Sequence, residues 1–257
     1  LGYYTCAFIS NNYALYPEFG YARGFDVFEI FHEKVTIDHN KNKPRITQIR
    51  RFFKKLIPNY ALNIIREINF KKKFKFTPII PFGQELVDIV TKHIKDTYNS
   101  DKSIFCWIHF MDAHHTYTSG LSLYNEFSDT HIKVSDIKEN LFYYCMAIRE
   151  LNEVGKIHDR LLSKVDIQVI KDLYDASIKY VDQCIYALLE NLQSLLPKNT
   201  IFVITSDHGE AFFEHGYGFH EVLGLHNELI RIPLILHIPE NKSSVEVETT
   251  FDHKGLH

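Results

Sequence analysis

Apolar runs of strand length recur along the chain at residues 3–9, 104–110, 201–204 and 232–238. None alternates cleanly between apolar and polar positions, the pattern expected of strands covered on both faces in a parallel sheet. Two longer stretches follow a helical period. Residues 84–95 place Leu86, Ile89, Val90 and Ile94 at helical spacing. Residues 172–196 set Tyr174, Ile178, Val181, Ile185, Leu188 and Leu192 on one stripe, with charges opposite. Each of these helices precedes a strand. Helices alternating with buried strands predict an α/β fold, a three-layer α/β/α arrangement around a mostly parallel central sheet.

Three of the four apolar runs end in polar clusters: Ser10-Asn11-Asn12, then Asp112 with His114-His115, then Ser206-Asp207-His208. In open α/β sheets the ligand crevice lies just beyond the carboxyl ends of the strands, so these clusters mark a candidate active site. An Asp and a His side by side suit a divalent cation of intermediate hardness, such as Zn²⁺ or Mn²⁺. The same pair also serves as an Asp-oriented general-base His, or as decoration of a polar turn. More histidines follow at once, His215, His220 and His226, interleaved with Glu214, Glu221 and Glu228. Residues 212–228 are thus rich in potential metal ligands and anion-binding groups.

Length and composition bound this picture without redirecting it. A chain of 257 residues, 45% hydrophobic and 24% charged, makes one large domain, here read as a single unit over 1–257. The net charge of -3 hides an asymmetry: residues 41–75 hold twelve Lys or Arg against Glu67 alone, a net +11. Apolar residues such as Phe52, Phe53, Ile64 and Ile65 interleave with these charges, and Pro44 and Pro58 interrupt them. The expectation is a basic helical insertion over residues 38–77. Such a surface is either merely solvated or attracts a membrane surface or polyanion. No nucleic-acid-binding module is recognisable, so nucleic acid is not an expected partner. The span contains no apolar run of membrane-crossing length and no signal-peptide pattern. Its four cysteines are scattered without a CxxC pair, which reads as reduced thiols and leans towards the cytoplasm. Residues 118–168 read as polar, helical cover for the sheet.

The motifs together resemble a known family. Ser206-Asp207-His208-Gly209-Glu210, then Glu214-His215-Gly216, a later His, and Asn227-Glu228-Leu229-Ile230-Arg231-Ile232-Pro233-Leu234-Ile235 resemble the sulfatase-like hydrolase/transferase family of the alkaline-phosphatase superfamily. Three further segments agree in order. Residues 1–11 with 24–29 resemble the family's early strand and loop. Residues 105–114 resemble its central strand and Asp-Pro-His turn, and residues 174–182 the helix before the metal-binding strand. The resemblance implies a sulfatase-like fold and metal-dependent hydrolysis of a sulfate ester, an anionic substrate. It equally admits phosphodiester or phosphonate hydrolysis, or phosphoglycerol- or phosphoethanolamine-type transfer. A non-catalytic relative that binds anionic glycans is the reading from another class.

By that resemblance Asp207 and His208 are metal ligands, and His114 and His220 are catalytic histidines near the transferring group. Asn11, Asp112 and His226 are substrate-binding, with His226 competing with His220 for the later histidine position. The cofactor implied is one divalent ion, Mn²⁺, Zn²⁺ or Ca²⁺, with the His ligand favouring the transition metals. The family's Ser, Thr or formylglycine nucleophile and first acidic ligands would fall before Leu1, since no Cys here lies in a Cys-x-Pro-x-Arg context. The span is therefore expected to be a partial catalytic domain, inactive alone.

Overall fold

A computed structural model describes residues 2–10, 12, 15–31, 82–98, 102–115, 117–129, 164–216, 218–220, 225–239, 244–247, 250 and 252. The whole of the 38–77 insertion, much of 118–168, and Asn11 lie outside the described residues.

The first strand, β1 (Tyr4–Ser10), explains the absence of alternation in its sequence: Cys6, Ala7, Phe8 and Ile9 are all fully buried. It is the middle strand of a three-stranded parallel sheet, flanked by β2 (Val27–Phe31) and β3 (Ile104–His109). Its register against β2 is set by a reciprocal pair at the strand entrance. Thr5 N donates to Asp26 Oδ2 at 2.8 Å, and Asp26 N donates back to Thr5 Oγ1 at 2.9 Å. The Thr5 N bond to Oδ2, with a second from Thr5 Oγ1 at 3.1 Å, holds the Asp26 carboxyl below its usual range.

The two expected helices form, α1 over Gly83–Thr97 and α2 over Lys164–Leu192. They pack on each other and on one face of the sheet. Leu86, Val87, Val90 and Ile94 of α1 meet Cys184, Leu188 and Leu192 of α2 over Cys6 and Phe8. The opposite face carries an aromatic plate in which Phe25 lies 5.5 Å from Phe28 and 6.3 Å from Trp107, ring centre to ring centre. The architecture is α/β with a parallel sheet, as expected. The second helical layer is not among the described elements. Among the described residues no helix is long and apolar enough to cross a membrane.

The last two strands depart from expectation. β4 (Phe202–Thr205) pairs antiparallel with β5 (Leu234–His237) in a separate two-stranded sheet, and β5 is exposed throughout. Val203, Ile235 and Leu236 are about half exposed. Their apolar character records β propensity, whereas burial depends on what packs over them. No described element covers this pair.

Candidate functional site

The carboxyl ends of β3 and β4 deliver the site. After β3 the chain turns through Asp112, His114 and His115. After β4 it passes through Asp207 and His208 and then folds back: Gly209 N donates to Leu229 O at 2.7 Å and Phe219 N to Ala211 O at 2.8 Å. That return brings His220 against both earlier segments. Its ring centre lies 4.1 Å from His208, 4.8 Å from His114 and 5.3 Å from His115.

Each of the three central imidazoles is anchored through Nδ1. His208 Nδ1 meets Gly209 O at 2.7 Å, and His114 Nδ1 meets His115 O at 2.7 Å. A carbonyl oxygen only accepts, so in both rings the hydrogen sits on Nδ1 and the lone pair on Nε2. His220 Nδ1 faces Glu210 Oε1 at 3.1 Å, and Glu210 Oε2 in turn accepts the Tyr117 hydroxyl at 2.9 Å. Burial holds His114 below the ordinary imidazole range, with His220 and His208 adding to the effect. Burial lowers His109 as well, and its Nδ1 has no hydrogen-bond partner among the described residues.

Asp207 Oδ1 lies 3.7 Å from His208 Nε2, on the open side of the site, where the Asp207 side chain is 67% exposed. A carboxylate oxygen and an imidazole nitrogen with its lone pair free are a donor set that fits a divalent cation. Two triplets of side chains also bring possible donor atoms within 4.8 Å of one another: His114, His115 and His220, and His215, His226 and Glu228. His226 belongs to the second of these triplets. It stacks on His215 at 3.7 Å, and His215 Nε2 lies 2.8 Å from Glu228 Oε1.

Asp112 is near the site in sequence, but its carboxyl turns towards α1. Its Oδ1 accepts from Phe82 N at 2.9 Å, Gly83 N at 3.1 Å and Ser119 Oγ at 3.1 Å, capping a helix whose own N-cap side chain makes no such bond. Its Oδ2 is buried without a partner among the described residues, and burial raises its pKa. A raised carboxyl pKa favours the fold below the unfolded value, and that contribution is lost as pH rises through the folded value. Asp112→Asn keeps an acceptor for the cap and removes the buried charge. Its melting temperature at pH 7 should match or exceed that of the parent, and the gap should close on acidification through the carboxylate range. Asp112→Ala leaves the cap donors unmet and should cost about 1–3 kcal/mol in urea unfolding.

The Sulfatase family model matches residues 1–254, nearly the whole chain. The chain belongs to the sulfatase family. No curated protein matches it. Among solved structures it is similar to that of BT4656 in complex with its substrate D-glucosamine-2-N,6-O-disulfate, at 18% identity and a TM-score of 0.43. That match covers 61% of this chain and 43% of that one, so this sulfatase-family chain spans under half the length of the solved relative.

Of the expected site residues, the fold brings together His114, Asp207, His208 and His220. It sets Asp112 and His226 in separate bonding groups, and Asn11 lies outside the described residues. Glu210, present in the sequence as the last residue of the Ser206–Glu210 motif, is found against His220. Tyr117 was not expected. The only sequence signal for it is a tyrosine three residues after His114, which carries no chemistry until the turn is folded.

Proposed function

We propose that this chain forms part of a metal-dependent sulfate-ester hydrolase. The observation that supports this best is the contact of His114, His208 and His220 beside Asp207, at the carboxyl ends of two strands. Asp207 and His208 would hold one divalent cation, with a transition metal preferred over Ca²⁺ because imidazole is the softer donor. Bound there, the ion would neutralise charge on the transferring group and lower the pKa of the nucleophile.

In this reading the chain's own work is positioning. His208 is held by its Gly209 bond with Nε2 available, beside the Asp207 carboxylate. His114 and His220 flank that pair and would hydrogen-bond the ester, His114 at the leaving-group oxygen and His220 at a non-bridging oxygen. The basic stretch 41–75 would draw polyanionic substrate or a membrane surface by long-range attraction.

The test uses the full-length protein loaded with Zn²⁺ or Mn²⁺ and offered matched aryl sulfate and aryl phosphodiester substrates. Sulfate turnover that is lowered about 10²–10⁴-fold by His114→Ala, with metal content retained, is the expected result. Turnover confined to the phosphodiester would replace the sulfate reading by a phosphoester one. Loss of metal in His114→Ala equal to that in His208→Ala would make His114 a ligand.

A further inference from the structure

The most enclosed polar contact of the site runs through a residue that the reaction above does not use. The Tyr117 hydroxyl donates to Glu210 Oε2 at 2.9 Å, and Glu210 Oε1 faces His220 Nδ1 at 3.1 Å. Resting on the proposed hydrolase reading, we propose that Tyr117 is a positioning residue: through Glu210 it sets the rotation and tautomer of His220, so that Nε2 is the nitrogen offered to the substrate.

The donor and acceptor inventory gives the chain of contacts one direction. The phenol supplies one hydrogen, the carboxylate only accepts, and His220 Nδ1 must therefore donate. The two inner members are shielded from water, Tyr117 being fully buried and the Glu210 side chain 4% exposed. In that setting a carboxylate keeps its place only while its oxygens are met, and a hydrogen bond to it has few competitors.

The backbone reinforces the arrangement. Tyr117 (φ 56), Phe213 (φ 70) and Phe219 (φ 64) are the non-glycine residues with positive φ among the described residues. Tyr117 and Phe219 belong to one buried cluster, and Phe213 packs against it. Bulky side chains adopt that conformation only where surrounding structure over-determines it, and such residues gather at functional sites. Tyr117 is held on two sides. Its N–H donates to His114 O at 3.1 Å, so the turn that carries His114 also carries the phenol. Its carbonyl accepts from Ser177 Oγ of α2 at 3.1 Å, and Ser177 Oγ accepts from Gly120 N at 3.1 Å. One turn therefore presents His114 directly and places His220 through Glu210. The tyrosine ring packs on Tyr174 at 5.4 Å and Phe219 at 6.1 Å, so its hydroxyl has little freedom to turn elsewhere.

The experiment is ¹⁵N NMR of histidine-labelled full-length protein, with His220 assigned by difference from His220→Gln. The parent should show His220 protonated on Nδ1. In Tyr117→Phe the Nε2–H form should appear, and kcat should fall about tenfold with KM little changed and metal content intact. A purely structural tyrosine would lower the melting temperature and leave the His220 tautomer alone, which would overturn the proposal. Should Tyr117→Phe not fold, Glu210→Met keeps the side-chain length but removes both acceptor oxygens, and an unchanged His220 signal there overturns it equally. The spectrum needs no substrate. An Nδ1–H His220 in a protein inert towards every sulfate and phosphate ester would leave this assignment standing and remove the hydrolase reading.

Discussion

His208→Ala in the full-length protein is expected to remove turnover by at least about a thousandfold, close to 4 kcal/mol at about 1.36 kcal/mol per decade, and the bound metal with it. The imidazole is already set for ligation, because the Gly209 carbonyl fixes its hydrogen on Nδ1 and leaves Nε2 beside Asp207. Alanine removes that nitrogen and its ring contact with His220, but no buried apolar packing, so the thermal midpoint of the metal-free protein should hardly move. Asp207→Ala should give the same pair of losses from the other half of the donor set. The readouts are metal content by elemental analysis after dialysis and single-turnover rate at saturating substrate. Full metal occupancy and activity in either variant would sink the assignment of this pair as ligands.

Gly209→Ala carries the largest expected effect on stability. A Cβ at that position would lie 2.0 Å from Glu228 O and 3.0 Å from Glu228 C, both backbone atoms that cannot swing aside. The contact arises because Gly209 N donates to Leu229 O at 2.7 Å, which draws the two strands of chain together immediately beyond Asp207-His208. Relief requires breaking that bond and moving the Glu228–Leu229 segment. The cost should be about 3 kcal/mol or more, a fall in melting temperature of roughly 6–12 °C. Gly216→Ala is the matched control. Its Cβ would meet nothing within 4 Å, and the cost comes from its φ of +81 alone, about 1 kcal/mol. Equal melting temperatures for the two variants would contradict the account of Gly209 as a close approach.

How far the sequence could be read depended on whether a feature is local. The buried apolar run of β1, the helical stripe of α2 and the Asp207-His208 pair at a strand end all announce themselves through spacing and residue type. The apolar stretch of β5 has the same composition as a buried strand, yet its residues are exposed, because cover is supplied from elsewhere in the fold. Asp112 illustrates the limit of adjacency. It lies two residues before His114, but the unmet amide groups of α1 claim its carboxyl, and side-chain direction is not written in spacing. The sequence favoured His220 as the later histidine, with His226 competing for the same position. The return of the chain through Gly209 and Phe219 separates them, pressing one ring onto His208 and stacking the other on His215. Tyr117 was beyond reach altogether, since its role depends on a left-handed turn and on Ser177 of α2, 60 residues further on.

The long helix α2 belongs to two cores at once. Near its amino end Val169, Ile170 and Leu173 pack with Tyr117, Tyr124 and Phe219, beneath the histidines. Towards its carboxyl end Cys184, Leu188 and Leu192 pack with α1 and β1. Its 29 residues span about 43 Å as one unbroken rod. A helix shared in this way ties the two cores into a single cooperative unit: fraying at the sheet end withdraws support from the site end through the same rod. The placement of His114 and His220 thus draws on the stability of the whole described domain and not on their loops alone.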